Sequence, residues 1–541
     1  MNYFFKIALF LFSISSYSQS FTEKQIDSLL LPYKKNEPGL SVRVIKKDSV
    51  LYSKSFGLSN LDYGIKNSDS TVYSIASIAK QFTAAAVWVL IQQGKLSLDD
   101  DIRTYFPEIP DYGELITLRH LFNHTSGIRG YHTLMYLSGF DYDKEYYDNQ
   151  TVLRLACQQK NLNNKPGDKV IYSNTNYNIL ALLVEKISGT NLDDFLKTNI
   201  LKPLKMDDTF VRVSHGDVVK NRAVGYQKNV DTFIYNVTNK LSYGAGSMGS
   251  TVLEMTKWAN MLNGDVPEFK DLSKFLQTQE LLSDQSLAKY ARGVMLDTYK
   301  GYKTISHSGY GFGGQTQLIT LPEEKIAVII LTNLQSINPT PLSYEILDVL
   351  LPVKETEANF IEKNSKITHS LKAFIGDFKE VNSDMKMTFT IENDTLKAKG
   401  SFGKFPMPLV ATETNKFVRL NSQNVKYDFT KTKQADLIIY FGGTPFYFKR
   451  ANFIKPESVN IKDFIGNYYS EELNTTYNFK IESNELILSY RNNPNIRLFP
   501  VQLNEFGNNN RTLYRFSTDK SKLFLSSDGT VKDIEFNKFV D

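Results

Sequence analysis

Ser77 and Lys80 stand three residues apart in the segment of the sequence best suited to chemistry. Residues at positions i and i+3 share one face of a helix, so the lysine amine can reach the serine hydroxyl. A helix N-terminus also offers free N–H groups and a partial positive charge, which stabilise negative charge developing during acyl transfer. The pair therefore predicts an acylated serine nucleophile with a lysine that moves its proton.

The spacing S-x-x-K alone is weak evidence, because it recurs at Ser286/Lys289, Ser383/Lys386, Ser401/Lys404 and Ser517/Lys520. Ser77 differs from the other serines because an apolar stretch over 81–90 follows it, which is typical of a helix buried in a domain core. The alternative is that Ser77 caps a helix and Lys80 is a solvated lysine of its first turn. The motif by itself leaves that alternative open.

Tyr172 and Asn174 form a second candidate pair. Two-residue spacing in an extended backbone places both side chains on the same side. A phenol beside a lysine ammonium loses its proton more easily, which makes Tyr172 a second candidate general base. Asn174 can donate to a substrate carbonyl and accept from Lys80. The alternative is a turn with a core tyrosine, and the sequence does not decide whether Lys80 or Tyr172 is the base.

His307, Gly309 and Tyr310 lie in a segment patterned as a strand. Gly309 has no side chain, so we expect substrate to approach the strand edge closely there. The Tyr310 N–H would then face the Ser77 N–H, and the two would form an oxyanion hole. The alternative is a histidine that merely ends a strand.

The order of these three motifs resembles that of the penicillin-binding-protein and class C β-lactamase-like serine hydrolases. The segment 116–127 (ITLRHLFNHTSG) and a glycine turn leading into a helix over 243–259 resemble further signatures of that family. The resemblance covers roughly residues 39–333. His124, within the first of these segments, is a candidate base by residue type, but the family pattern places it in a structural turn.

The resemblance implies a role for each motif residue. Ser77 is the nucleophile, Lys80 and Tyr172 handle its proton, and Asn174 and His307 line the cleft. It implies no metal and no organic cofactor. The third motif departs from the β-lactamases and transpeptidases, which carry lysine where this chain has His307. A neutral imidazole binds a carboxylate less strongly than an ammonium, so we expect small esters or D-aminoacyl amides to be better substrates than penicillins.

Several functions remain open at this stage. Within the hydrolases they are a D-aminopeptidase or D-peptide hydrolase, an esterase, a D,D-carboxypeptidase and a β-lactamase. The rival from another class is a non-catalytic sensor that binds penicillin or peptidoglycan. The presence of all the reactive residues favours an enzyme that acts on a small peptide or ester, with D-amino acids among the candidate substrates.

The chain divides into two parts with different predicted secondary structure. Helix patterns over 79–93 and 178–187 and strand patterns over 40–45 and 326–331 predict an α/β (α+β) domain around one sheet. After about residue 365 short alternating segments predict strands. There, 374–378 (FIGDF) matches 464–468 (FIGNY) with an offset of 90 residues (464 − 374), and the offset holds along the following strand.

This repeat predicts two homologous all-β units, and antiparallel barrels are the form expected because closure removes exposed sheet edges. Such a barrel either binds a ligand or is filled with side chains and packs on the first domain; we favour the second. The predicted domains are a signal peptide over 1–18, the hydrolase domain over 19–360, and barrels over 366–452 and 458–541. This layout resembles that of bacterial D-aminopeptidases.

Composition excludes several other classes of protein. The 541 residues carry 63 Lys+Arg against 58 Asp+Glu, a surplus too small to indicate a nucleic-acid partner. One cysteine excludes an internal disulfide, and no histidine stands in metal-binding spacing. The apolar start ends in small residues, which predicts a cleavable signal, a periplasmic or secreted protein, and no membrane span after cleavage. The oligomeric state stays open.

Overall fold

The computed structural model describes residues 21–352 and 370–539, apart from 48, 237–238, 312, 402, 421 and 442–443. The predicted signal peptide over 1–18 lies outside these residues. Within the described chain, no helix has both the length and the apolar character needed to cross a bilayer.

The N-terminal domain mixes helices and strands, as the sequence predicts. Its helices are α1 (21–29), α2 (Ala79–Gln92), α3 (Leu118–Phe122), α4 (Tyr131–Ser138), α5 (Asn149–Cys157), α6 (Asn174–Ser188), α7 (Leu192–Leu196), α8 (Val252–Leu262), α9 (Lys270–Leu276) and α10 (Pro339–Leu350). Its strands are β1 (Leu40–Lys46), β2 (Ser49–Phe56), β3 (Leu58–Asn60), β4 (Ile65–Lys66), β5 (Tyr73–Ser74), β6 (Tyr147–Asp148), β7 (Phe210–Val211), β8 (Tyr226–Asn229), β9 (Thr232–Tyr235), β10 (Lys240–Leu241), β11 (Met248–Ser250), β12 (Met295–Tyr299), β13 (Tyr302–Gly311), β14 (Gly314–Leu321) and β15 (Ile326–Thr332).

One antiparallel sheet in the order β12-β13-β14-β15-β1-β2 forms the centre of this domain. The first strand of the domain pairs with the last, with Val42 opposite Ile330. All seven residues of β15 are buried, because helices cover both faces of the sheet. Alternate residues of its strands point into two cores, one shared with α2, α6 and α8 and one shared with α1 and α10.

The C-terminal part forms two closed eight-stranded antiparallel barrels. The first barrel contains β16 (Gly376–Glu380), β17 (Lys386–Glu392), β18 (Thr395–Gly400), β19 (Met407–Glu413), β20 (Lys416–Arg419), β21 (Ser422–Asp428), β22 (Leu437–Phe441) and β23 (Thr444–Arg450). The second contains β24 (Gly466–Ser470), β25 (Thr475–Glu482), β26 (Glu485–Tyr490), β27 (Asn493–Gln502), β28 (Glu505–Gly507), β29 (Thr512–Phe516), β30 (Lys522–Ser527) and β31 (Val531–Phe539).

The sequence repeat has a structural counterpart at the start of each barrel. Gly376 and Gly466 occupy equivalent positions with φ of 126° and 130°, a region that side chains rarely enter. Phe374 and Phe464, two residues earlier, are both buried in their barrel cores. Each barrel is filled by clustered aromatic and aliphatic side chains, so the interpretation as a filled barrel is supported.

A buried ion pair joins the second barrel to the N-terminal domain. Arg129 and Glu472 are each only 1% exposed, and their guanidinium and carboxylate are in direct contact. The Lys160 N–H also donates to the Glu472 carboxylate at 2.8 Å, and the Arg129 guanidinium donates to the Lys532 carbonyl. Leu134 and Leu137 of α4 belong to the same apolar cluster as the barrel interior. The second barrel therefore packs directly against the N-terminal domain, and its apolar core extends to α4.

The ion pair yields a stability prediction. Glu472→Gln leaves the Arg129 charge buried without its partner, which should lower the free energy of unfolding by about 3–5 kcal/mol. The measurement is urea unfolding of the full chain. Glu471→Gln is the matched control, because Glu471 is 68% exposed where it pairs with Lys160. That variant should lose no more than about 1 kcal/mol. Equal losses in the two variants would contradict the prediction.

Candidate active site

Ser77 lies at a sharp turn between a strand and a helix. The 3₁₀ turn Ala76–Ile78 follows β5 and runs directly into α2. Ala76 has a φ of 46°, an unfavourable conformation for a residue with a side chain. The turn is held from two sides, because the Ile75 N–H donates to Met248 at 2.9 Å and the Ile75 carbonyl accepts from Thr316 Oγ1 at 3.1 Å.

Lys80 is in hydrogen-bond contact with Ser77. Its Nζ lies 3.0 Å from Ser77 Oγ and 2.7 Å from the carbonyl oxygen of Ala245. The side chain is 0% exposed. Burial, with the positive charge of Lys240 as a second cause, holds the pKa of Lys80 well below its ordinary value. A neutral amine fits both contacts, because it donates to Ala245 and offers its lone pair to the Ser77 proton.

Glycine allows the Ala245 carbonyl to reach Lys80. Gly244 has a φ of 94°, and a Cβ there would lie 2.4 Å from the carbonyl oxygen of Tyr177. The Gly244 carbonyl accepts from Thr83 Oγ1 of α2 at 2.8 Å, which fixes the turn against the nucleophile helix. The sequence marks this turn as a family signature, but only the fold shows that it binds the Lys80 amine.

Tyr172 lies beside the pair, with its ring centroid 4.9 Å from Lys80 Nζ. Burial raises the pKa of Tyr172 above its ordinary value, although a hydrogen bond with Ser77 acts in the opposite direction. The expectation that a neighbouring ammonium acidifies the phenol is therefore wrong. The physical reason is that the same burial which keeps Tyr172 protonated also removes the charge from Lys80.

Asn174 is the first residue of α6, after the extended Ser173, so helix α6 begins four residues earlier than the sequence pattern predicts. Its side chain lines the cavity at Ser77, and its Oδ1 is buried without a hydrogen-bond partner. The predicted hydrogen bond from Lys80 to Asn174 is absent, because Lys80 donates to Ala245 instead. The amide oxygen is therefore a buried acceptor without a partner at the edge of the cavity.

His307 does not face the cavity as expected. It is 7% exposed and is not among the described residues that line the cavity. Its Nδ1 lies 2.6 Å from the Ser308 carbonyl, and its Nε2 lies 2.9 Å from the Tyr290 hydroxyl. Burial lowers the pKa of His307 to about 3, so the ring is neutral, donates from Nδ1 and accepts from Tyr290. With both nitrogens engaged, it supports the wall of the site.

Gly309 also serves a different purpose from the one expected. A Cβ on Gly309 would lie 2.8 Å from the carbonyl oxygen of Ile75 and 2.9 Å from Ala76 Cβ. The missing side chain thus lets the nucleophile turn, and not a substrate, approach β13. Tyr310 is 66% exposed and lines the cavity. The role of its backbone N–H in an oxyanion hole stays a prediction.

His124 is a supporting residue. It is buried with a φ of 60°, and its Nδ1 accepts from the Ser173 N–H at 3.2 Å. Its ring packs on Tyr172 and Tyr290 at centroid distances of 4.3 and 4.6 Å. Burial keeps the pKa of His124 well below its ordinary value, so it is neutral. These contacts agree with the structural turn that the resemblance implies.

A cavity of about 310 Å³ opens at Ser77. Of the seven site residues predicted from sequence, Ser77, Asn174 and Tyr310 line it. The other four are not among the described lining residues: Lys80, Tyr172, His307 and Gly309. Sequence analysis missed Tyr131 and His132 of α4, which also line it. It missed Tyr290 as well, because nothing in the local pattern distinguishes a tyrosine that holds His307 from the other tyrosines of the chain.

Comparisons with known proteins agree with this geometry. The sequence profile described as Beta-lactamase matches residues 23–349. Penicillin-binding protein 4* of Bacillus subtilis (strain 168) is 28% identical over 298 residues, 52% of this chain and 65% of that protein. Protein flp of Staphylococcus aureus (strain MRSA252) is 25% identical over 325 residues, 58% of this chain and 64% of that protein. The chain thus spans just under two thirds of the length of these relatives.

Solved structures show the same fold. The octameric penicillin-binding protein homologue of Pyrococcus abyssi superposes with a TM-score of 0.55 at 22% identity and covers 88% of this chain and 98% of that one. The D-amino acid amidase of Ochrobactrum anthropi SV3 in complex with D-phenylalanine gives a TM-score of 0.51 at 20% identity, covering 60% and 98%. Because the family profile spans more than half of the chain and the Ser77–Lys80 pair stands in place within it, the protein belongs to the beta-lactamase family.

Proposed function

We propose that the protein is an exported serine acyl-hydrolase that cleaves an amide or ester bond through an acyl-enzyme on Ser77. The single observation that carries this proposal is the 3.0 Å contact between Ser77 Oγ and the buried amine of Lys80. A lysine whose pKa is held low is neutral at working pH, so it can accept the serine proton. The predicted signal peptide over 1–18 supports the assignment of export.

In the acylation step, Lys80 takes the proton of Ser77 while Ser77 Oγ adds to the substrate carbonyl carbon. The N–H groups of Ser77 and Tyr310 hold the oxyanion. When the intermediate collapses, the bond to the leaving amine or alcohol breaks, and Tyr172 relays the proton from Lys80 to it. A water molecule then attacks the acyl carbon, and its proton passes through Tyr172 to Lys80. Lys80 returns that proton to Ser77 Oγ as the ester bond breaks, which releases the acid and restores Ser77.

Small esters and D-aminoacyl amides are the proposed substrate classes. The similarity to a D-amino acid amidase supports the second class, and the barrels agree with the D-aminopeptidase layout. Because His307 is neutral and buried, it cannot replace the lysine that holds a carboxylate in β-lactamases. We therefore place β-lactamase activity last among the candidates.

The nucleophile can be tested by covalent labelling. A fluorophosphonate probe should label the mature protein at Ser77, and Ser77→Ala should abolish both labelling and turnover of p-nitrophenyl acetate. Peptide mass spectrometry identifies the modified residue. Ser286→Ala is the matched control, because Ser286 has the same spacing to a lysine but is exposed. Labelling at Ser126 or Ser308 in place of Ser77 would overturn the assignment.

The role of Lys80 predicts a pH profile. Protonation of Lys80 removes the base, so kcat/KM should fall as pH decreases through the pKa of Lys80. Burial holds the pKa of His124 well below its ordinary value and lowers that of His307 to about 3, and it raises the pKa of Tyr172 and Tyr177. Burial also lowers the pKa of Lys240 to about 8, so an acid limb that Lys240→Gln retains reports Lys80.

Lys80→Arg tests the same role directly. Arginine stays protonated, so this variant should lose about 10²–10⁴-fold in kcat/KM and lose the acid limb. Lys289→Arg is the matched control, because Lys289 follows Ser286 at the same spacing and pairs with Asp297. If Lys80→Arg retains activity and the acid limb, Tyr172 is the base instead.

A further inference from the structure

The cavity at Ser77 carries charge of one sign. Arg212, Arg222 and Lys240 line it, whereas Asp and Glu are missing from the lining that the described residues provide. His132 also lines it, but burial lowers its pKa to about 3, so it adds no charge. The charged side chains that a substrate meets among the described lining residues are therefore all cations.

Backbone hydrogen bonds from two separate segments place the two arginines beside the Ser77 turn. Arg212 directly follows β7, which pairs with β11, and β11 pairs with β5, the strand that leads to Ser77. Two strand spacings of about 4.8 Å each separate the ends of this small sheet. Arg222 lies in another segment, which is bonded to Val72 on both sides of the arginine. The Asn221 carbonyl accepts from the Val72 N–H at 3.0 Å, and the Ala223 N–H donates to the Val72 carbonyl at 2.9 Å.

No carboxylate within the described part of the chain forms an ion pair with either guanidinium. Arg212 is half-buried, and its backbone N–H donates to the Ser247 carbonyl at 2.8 Å. Burial and the nearby charge of Arg222 lower the pKa of Arg212, with Asp217 as a weaker opposing cause. Guanidinium groups remain protonated at neutral pH, so both keep their charge and their donors.

We infer that Arg212 and Arg222 bind an anionic group, a carboxylate or a phosphate, on the substrate whose acyl bond Ser77 attacks. A planar guanidinium matches either oxyanion with paired hydrogen bonds. A substrate with a free α-ammonium would instead approach cations with no acid on the cavity wall to receive it. The inference rests on the proposed function and narrows its substrates to anionic esters and amides, so it ranks the D-aminoacyl amides named above lower, because the cations would repel their free ammonium.

The first experiment compares four p-nitrophenyl esters of one chain length with the full-length protein. The chains are hexanoate, adipate, 6-phosphonooxyhexanoate and 6-(trimethylammonio)hexanoate, and spontaneous hydrolysis is subtracted. Phenyl acetate and 3-acetoxybenzoate make the same comparison with the carboxylate placed on the leaving group in place of the acyl chain. At least one anionic ester should exceed its neutral partner by about tenfold or more in kcat/KM, and the cationic ester should be poorest. Comparison of the adipate ester with the 6-phosphonooxyhexanoate ester shows whether the site prefers a carboxylate or a phosphate.

The second experiment assigns any preference to the arginines. In Arg212→Gln/Arg222→Gln the ratio of anionic to neutral kcat/KM should fall to about one, and added NaCl should reduce the ratio for the unmodified protein. Lys220→Ala removes one nearby positive charge from an exposed residue outside the cavity lining and should leave the ratio unchanged. Equal rates for all charges, a preference for the cationic ester, or an anion preference that survives the double substitution would overturn the inference.

A binding measurement separates this inference from the proposed function. Ser77→Ala cannot be acylated, so calorimetry with adipate, phenyl phosphate and hexanamide measures recognition without turnover. Anion binding that the double substitution abolishes supports the inference even if no ester is hydrolysed and the proposed function fails. Turnover of esters in a protein that binds neither anion supports the proposed function and overturns the inference.

Discussion

The chemistry of the site depends on the removal of Lys80 from water. Taking an ammonium out of water costs several kcal/mol unless a countercharge accompanies it, and here its nearest polar partners are a serine hydroxyl and the Ala245 carbonyl. Losing the proton relieves that cost. The same amine then has a lone pair to offer at 3.0 Å from Ser77. A neutral Lys80, as the proposed mechanism requires, thus follows from burial and from the lack of a close carboxylate among the described residues.

This arrangement requires several segments to approach one another closely. Gly244 lets the Ala245 turn reach Lys80, and Gly309 lets the Ser77 turn approach β13. Tyr290 holds His307, and both rings pack around Tyr172. The close packing of these segments accompanies the complete burial of Lys80, which lowers its pKa.

The second barrel contributes to the same region. Arg129, whose charge is neutralised by Glu472 of the barrel, accepts through its carbonyl from Thr175 Oγ1, next to Asn174. The Tyr131 N–H donates to the same hydroxyl at 3.0 Å, and Tyr131 lines the cavity. The barrel is therefore connected through one turn both to the start of α6 and to the cavity wall.

The sequence by itself determined that Ser77 and Lys80 lie side by side, that a mixed α/β domain precedes an all-β part, and that the barrel is duplicated. These features depend on local spacing and periodicity, as in the Ser77–Lys80 interval and the recurrence of Phe374 at Phe464. Only the tertiary structure decided the protonation of Lys80 and Tyr172 and the place of His307. Burial comes from segments far apart in the chain, and a motif cannot show whether its side chain faces a cavity or a core. The positively charged lining was decided by the tertiary structure for the same reason. Arg212 and Arg222 belong to no motif, and they come together because β7 is joined to β5 through β11 while residues 221–223 bond to Val72.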